Sequence, residues 1–356
     1  MTDTGRRPGV RGGAWAALPL LAALLAAAVV AAIAIGSTGI AWGTVVRVLA
    51  ARALPSGWID LGGISEAEQV IVWLIRTPRV VVAALVGGAL AVAGTQMQGL
   101  FRNPLAEPSV IGISQGAALG AVVTFVSGLA ATAVFWLPLF AFAGALAALA
   151  AVHAVATRAG RTPVATLLLA GIALGSLSTA VATLLISLSV VNWQVANEVV
   201  FWLMGGLDNR TWTHVWMCLP AVAAGAVAAR WHTRDLDLLL LGEETAASLG
   251  VDVERVRRTM LATAAMLTGA AVAVSGVIGF VGLIVPHMLR LVLGPSHRTL
   301  LPAAMLGGAL FVIVCDLLAR TIHPPTEIRL GIITAACGAP FFLYLLRRQR
   351  GGLAAL

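Results

Sequence analysis

The sequence predicts an all-α, polytopic membrane protein with about ten transmembrane helices. Three observations carry this reading. Of the 356 residues 60% are hydrophobic and 11% charged, against roughly 25% charged in a soluble domain; the mean hydropathy is +0.96. The apolar residues fall in long runs, many near the ~20 residues that cross a hydrocarbon core. The charges collect between the runs, and all 23 basic side chains are arginine. The 38 glycines suit helices that approach closely in lipid.

Taken in order, residues 1–13 form a basic tail with Arg6, Arg7 and Arg11. Ala14–Ile35 follows, longer than the roughly 7–15 apolar residues of a cleaved signal, so it reads as a retained first helix. Five further runs come next: Val80–Leu100, Pro108–Leu129, Ala133–Thr157, Pro163–Ser189 and Trp212–Ala229. Then comes an inset, Arg230–Arg258, which holds 11 of the 38 charged side chains. After it lie Thr259–Leu289, Leu300–Ala319, Leu330–Leu346 and a basic tail, 347–356.

Charge parity orients the chain. Six runs put the N-terminal tail and the inset on one side, which the positive-inside rule makes the cytoplasm. The basic C-terminal tail belongs there too, which requires an even number of spans after the inset. Thr259–Leu289 is 31 uncharged residues with Gly276, Gly279 and Gly282 in its second half. Breaking it there gives ten spans in all, and a short broken helix of this kind often lines a path. Sixteen arginines then lie inside and seven outside: Arg47, Arg52, Arg76, Arg79, Arg210, Arg320 and Arg329. In the outer connection 190–211, Gln194–Leu203 is expected as an interfacial helix, with Trp193, Trp202 and Trp212 at headgroup depth. The whole of 1–356 reads as one transmembrane domain.

An internal repeat supports the count. Leu85–Gly94 (LVGGALAVAG) and Leu267–Gly276 (LTGAAVAVSG) match at six of ten positions with an offset of 182. The first copy runs inward and the second outward, as in transporters built from inverted repeats.

Composition also excludes functions. With no lysine there is no ordinary Walker A site and no Schiff-base lysine. No cofactor is expected on this chain; if ATP drives it, ATP and Mg²⁺ belong to another chain. The pI of about 11.2 raises nucleic acid as a partner, but the arginines lie between spans rather than in one stripe, so membrane lipid is the partner they fit. Cys218, Cys315 and Cys337 are isolated and read as packing residues. His153, His214, Met97 and Met204 are also taken as packing residues, and no metal site is expected. No cluster of His, Asp or Glu suits an enzyme. A secondary carrier would need a buried acid as an ion site; only Asp316 qualifies, and Arg320 stands four residues on.

Within the inset, Gly242 and Gly250 bracket about two helical turns and Asp252 can N-cap the next helix. That makes either a rigid knob for a soluble partner or a solvated loop. Arg76 and Arg79 lie at i and i+3 at the outer mouth, with Arg320 on the same side: either docking groups or snorkelling anchors. Asn103-Pro104 and Glu107-Pro108 read as a tight cytoplasmic turn in which Arg102 and Glu107 can pair.

These segments resemble the FecCD-type permeases, the membrane subunits of importers for iron-siderophores, haem and vitamin B12. The resemblance rests on Arg76-Thr-Pro-Arg79, Gly94-Thr-Gln-Met-Gln98, Asn103-Pro-Leu-Ala-Glu-Pro108 and Gly112-Ile-Ser-Gln-Gly116. It continues through Gly242-Glu-Glu-Thr-Ala-Ala-Ser-Leu-Gly250, Gly279-Phe-Val-Gly-Leu-Ile-Val-Pro-His287, Asp316-Leu-Leu-Ala-Arg320 and Gly338-Ala-Pro-Phe-Phe342. It implies a type II ABC importer permease in the bacterial inner membrane: a homodimer with a cytoplasmic ABC ATPase dimer and an extracytoplasmic substrate-binding protein. It further implies ATPase coupling through Glu243, Glu244, Ala246, Ala247, Ser248 and Gly250, and docking through Arg76, Arg79 and Arg320. Gln96, Gln98, Ser114 and Gln115 lie near the path in the family; they either wet a channel or satisfy backbone at helix crossings. Pro286 and His287 belong to a gate region, where capping or packing is expected. Glu327-Ile-Arg-Leu-Gly331 departs from the family's ELPxG at Arg329. The Gly279–His287 segment and Met204-Gly-Gly206 look more like haem and B12 permeases than siderophore ones. An iron chelate, siderophore or haem, is the expected cargo, with cobalamin the alternative.

Overall fold

The computed structural model describes residues 10–36, 38–55, 57–157, 162–189 and 193–353. Arg6, Arg7, Arg158, Arg161 and the last three residues lie outside them. The helices are α1 (Val10–Ala34), α2 (Trp42–Ala53), α3 (Glu66–Val70), α4 (Thr77–Leu100), α5 (Ile113–Val126), α6 (Trp136–Ala156), α7 (Val164–Leu188) and α8 (Trp193–Leu203). There follow α9 (Trp212–Trp231), α10 (Thr233–Leu239), α11 (Glu243–Ser248), α12 (Val253–Ser275), α13 (Val281–Leu293), α14 (His297–Thr321) and α15 (Leu330–Leu353). Seven of these stretches are long and apolar enough to cross a membrane, and Ile113–Val126, Val281–Leu293 and Leu330–Tyr344 are shorter apolar helices.

The centre is α4, buried at 20 of its 24 positions. A helix buried all round must satisfy its polar side chains inside the bundle: Thr95 returns its hydroxyl to Ala91 O, and Gln98 donates to Leu283 O of the neighbouring helix. Glycine lets neighbours reach it. A Cβ on Gly87 would stand 2.1 Å from Gly308 O, and one on Gly94 1.9 Å from Gly282 O. Helix α14 therefore runs antiparallel against α4, with Gly87 at Gly308, Arg79 at Asp316 and Gly99 at His297. The two copies of the repeat also lie side by side, on α4 and α12, antiparallel: Thr263 meets Gln96 near one end and Leu90 and Thr268 border one cavity. Helices α13 and α14 pack on α4, α5 and α6 pack on α12, α9 packs on both, and α1 lies against α14.

The long run after the inset does break where its glycines cluster. Helix α12 stops at Ser275, Gly276 turns with φ +68°, and Phe280 restarts the chain at φ +70°. A left-handed Phe costs about 1–2 kcal/mol; its ring fills the space over Gly338, where a Cβ would stand 2.5 Å away. Helix α13 has 13 residues, about 20 Å at ~1.5 Å per residue.

Four local readings need correction. The run Pro108–Leu129 is not one helix: a 3₁₀ turn, Pro108–Ile111, leads through Gly112 (φ +79°) into the 14-residue α5. The stretch before it does turn at Asn103-Pro104, where the Ala106 amide donates to Asn103 O at 3.1 Å, but Glu107-Pro108 does not stay at that turn: Pro108 is buried against Gly282, the residue that meets Gly94 inside α4. Helix α4 begins earlier than its apolar run, being continuous through a π-helical turn, Ile71–Arg76, with α3, so that Glu66–Leu100 is one 35-residue helix. Its start is a Ser65–Glu68 capping box, which was legible as S-x-x-E. Helix α8 forms as expected, but only Trp193 is well exposed; Trp202 is buried and Trp212 stacks on Trp73 with centroids 4.7 Å apart.

Candidate functional sites: a charged mouth, an inner cavity and the inset

The end of the bundle that holds the start of α4, the end of α14 and the start of α15 is the mouth end. Arg79 is its hub. It bonds Asp316 on α14 at 2.8 Å and Glu327 before α15 at 2.7 Å, with Asp208 at 3.7 Å. Asp316, only 2% exposed, also holds Arg320 at 3.1 Å, the intrahelical pair the spacing suggested. Arg320 reaches on to the carbonyls of Ala32 and Ile35. Arg76 donates to Ile33 O at 2.7 Å, Ala34 O at 2.9 Å and Thr38 O. Both arginines thus close the C-terminal end of α1, where unpaired carbonyls carry partial negative charge. Arg76 and Arg320 point inward; Arg79 is nearly covered. Arg329 pairs with Asp208 and lies 4.5 Å over the Phe201 ring.

In the interior, a cavity of about 290 Å³ lies between α4, the 3₁₀ turn, α5, α7 and the α12–α13 break. Ser114 and Gln115 border it, with Glu107 and Thr268. Gln115 Oε1 and Thr268 Oγ1 have no hydrogen-bond partner there. Glu107 accepts a bond from Ser109 rather than from Arg102. Gln96 and Gln98 do not border this cavity: Gln98 donates to Leu283 O at 3.0 Å and Gln96 accepts from Thr263 at 3.3 Å. Pro286 and His287 are buried within α13, away from it.

The inset folds as α10 and α11, with Gly250 at φ +86° and Asp252 capping the Arg255 amide at 3.0 Å. Its fixing group is one the sequence reading passed over. Arg257, 3% exposed, bonds Glu243 at 2.7 Å and also Glu254. Glu243 is therefore tied to α12, whereas Glu244, Ala247, Ser248 and Gly250 are exposed. Ala246 is wholly buried and helps seat α11. A second tie runs from α10 to α14: Asp237 accepts from the His297 backbone and from His297 Nδ1, both at 2.7 Å, and from Ser296 at 3.2 Å. Beside α11 opens a groove of about 690 Å³ that includes Arg102, Glu243, Glu244 and Pro163.

Nothing in these three places is arranged for covalent chemistry. Among the described residues no three His, Cys, Asp or Glu side chains gather as metal ligands. A bundle of apolar helices, broken beside a cavity and carrying a charged knob at one end, suits a transport subunit. The chain belongs to the FecCD transport family, whose model matches residues 24–348, and is the non-catalytic permease component of an ABC importer of the kind that takes up iron chelates, haem or vitamin B12. It is 48% identical over 285 residues to the cobalamin import system permease protein of Halobacterium salinarum, covering 80% of this chain and 75% of that one. It is 43% identical to the hemin transport system permease protein of Yersinia pestis, over 78% and 84% of the two chains. A solved structure described as an inward-facing, metal-chelate type ABC transporter superposes with a TM-score of 0.82 at 29% identity, covering 94% of this chain and 99% of that chain.

Proposed function

We propose that this permease carries an iron chelate, siderophore or haem, inward across a cell membrane. The hemin relative at 43% identity and the ferric dicitrate relative of Escherichia coli at 42% support that cargo. Cobalamin is the second reading, favoured by the 48% identity to the Halobacterium salinarum permease. That relative is archaeal, so the resemblance supports a cell membrane rather than a bacterial one in particular. The inset end faces the cytoplasm, with both termini, and the mouth faces outward; the arginine asymmetry supports this orientation.

In this reading ATP and Mg²⁺ are bound by a separate ATPase dimer, and no cofactor is bound here. Two copies of the chain enclose the path. Exposed apolar residues along α7, such as Leu169, Ile172 and Leu184, suit a face covered by the second copy or by lipid. Glu244, Ala247, Ser248 and Gly250 meet the ATPase, while Glu243 and Ala246 hold α11 in place for it. Ser114 and Gln115 border the route, with Gln96, Gln98, Pro286 and His287 shaping the helices beside it. A substrate-binding protein docks at the mouth, with Arg79 the docking arginine that remains near the surface.

The observation that carries the reading is the clamped, exposed knob on a chain without lysine. The test is uptake by vesicles holding the permease with its ATPase and binding protein. Haem, a ferric siderophore and cobalamin are offered side by side. ATP-dependent accumulation of either iron chelate in preference to cobalamin is expected; cobalamin alone would replace the cargo, and vanadate-insensitive uptake would sink ATP coupling.

A further inference from the structure

We propose that the interior cavity binds a hydrated alkali-metal cation, with the Glu107 carboxylate as counter-charge and the Ser114, Gln115 and Thr268 oxygens as further ligands. The sequence predicts no metal site because Glu107 reads there as part of a cytoplasmic turn. Folded back, it stands on the wall of the cavity of about 290 Å³. Arg102, the cation nearest to it in sequence, lies instead in the groove beside Gly242. Glu107 keeps one hydrogen-bond partner among the described residues, the Ser109 hydroxyl. Asp316, the acid buried on α14, is held by two arginines. An acid inside a membrane bundle needs a partner of opposite charge, and no Arg or His is among the described residues that border this cavity.

The rest of the polar wall has the same character. Thr268 is 1% exposed, and neither its Oγ1 nor Gln115 Oε1 has a partner among the described residues. The hydroxyls of Thr179 and Thr183 donate back along α7, to Gly175 O and Thr179 O, both at 2.9 Å. That of Ser109 donates to Glu107. With those hydrogens engaged, these three groups offer the cavity only lone pairs. Oxygen ligands select hard cations, and the thiolate and imidazole ligands of softer metals do not border the site. One carboxylate balances a single positive charge, whereas a divalent ion draws its affinity from several. A water's share of liquid volume is ~30 Å³, so the cavity has room for the ion with waters that complete its shell. The ion is a diffusible ligand, not a resident cofactor. The competing occupant is a proton on Glu107. It neutralises the acid but adds one donor, and it leaves other oxygens of the wall without a partner.

The test uses the purified permease in lipid nanodiscs, and its readout is binding rather than uptake, so its outcome is separate from that of the cargo. Thermal midpoints are compared in NaCl, KCl and choline chloride at equal ionic strength, titrated at pH 6 and pH 8. Na⁺ or K⁺ is expected to raise the midpoint over choline by about 2 °C or more, and to do so saturably. Glu107→Gln is expected to abolish the difference between the salts. Thr268→Val keeps the volume and the charge of the site, and is expected to weaken the apparent affinity for the cation about fivefold or more. If Glu107→Gln does not fold, Thr268→Val and Ser114→Ala carry the comparison, each with the same expected weakening. Equal midpoints in the three salts overturn the site. So does a cation response that is unchanged in the variants, which places the ion elsewhere. A midpoint that follows pH alike in all three salts assigns the cavity to a proton and also overturns it. A saturable response to Mg²⁺ or Ca²⁺ at lower concentration than to Na⁺ or K⁺ overturns the choice of a monovalent ion.

Discussion

The mouth and the inset both fix buried arginines with carboxylates, yet they are built on different scales. At the mouth, Arg79 is joined to Asp316 and Glu327 across 237 and 248 residues of sequence. It ties α4, α14 and the start of α15, and Asp316 serves two arginines at once. At the inset, Arg257 gathers Glu254 and Glu243 from 3 and 14 residues away. The first arrangement locks distant helices together. The second stiffens a local knob and leaves its far side, Glu244 and Ala247, open to a partner.

That difference predicts how each breaks. The largest effect is expected from Asp316→Ala. It takes the shared carboxylate from two nearly covered guanidiniums, leaving Arg79 with Glu327 and Arg320 with the α1 carbonyls; removing one partner of a buried ion pair costs up to about 3–5 kcal/mol. Purified Asp316→Ala should lose most of its yield or unfold well below the wild type in a thermal melt. A midpoint within a degree or two of wild type would mean that Arg79 and Arg320 rehydrate freely, and the mouth would not be a lock.

A smaller loss of stability is expected from Arg257→Met. The carboxylates it leaves behind are 39% and 28% exposed, so water can take them, and an apolar chain of similar volume fills the site. The change in stability should be on the order of 1 kcal/mol. What should fall is transport per ATP hydrolysed, because α11 is no longer held to α12, the helix that leads to the break beside the cavity. Glu244→Arg, on the open side, should leave the thermal midpoint unchanged and weaken ATPase association instead. Equal midpoints with unaltered coupling in Arg257→Met would show the clamp to be inert.

The two regions were also unequally legible. Gly242, Gly250 and Asp252 announce the inset because caps act over a few residues, and the break at Gly276–Gly282 was visible as a run too long for one span. The i, i+4 spacing of Asp316 and Arg320 was readable for the same reason. What Arg76 and Arg79 do was not: a pair of arginines at i and i+3 looks identical whether it faces solvent or the end of another helix. The partners of Arg76 lie some 40 residues upstream, in the α1 terminus. Glu107 misled for a related reason, since the prolines around it signal a turn without saying that the turn folds back among the helices. Arg257 was one arginine among several in the inset, and only the fold singles it out by burying it.

The smallest effect is expected at the tie between α10 and α14. Burial by itself raises the Asp237 carboxyl, but the bonds from the His297 side chain and amide, with the Ser296 hydroxyl, outweigh it and hold the group below the usual carboxylate range. A carboxyl lowered in the folded state stabilises that state above the unfolded value of about 3.9, and the contribution disappears as pH falls through the folded value. The wild type should therefore keep this tie at neutral pH and lose it only below about pH 4. Asp237→Asn retains an oxygen that can accept from the His297 amide, so its midpoint at pH 7 should drop slightly. Its acid limb should be flatter than that of the wild type, since the group that titrates is gone. Parallel acid limbs for the two proteins would mean that Asp237 is not held as an anion by α14, and α10 would then rest on the bundle through its apolar packing alone.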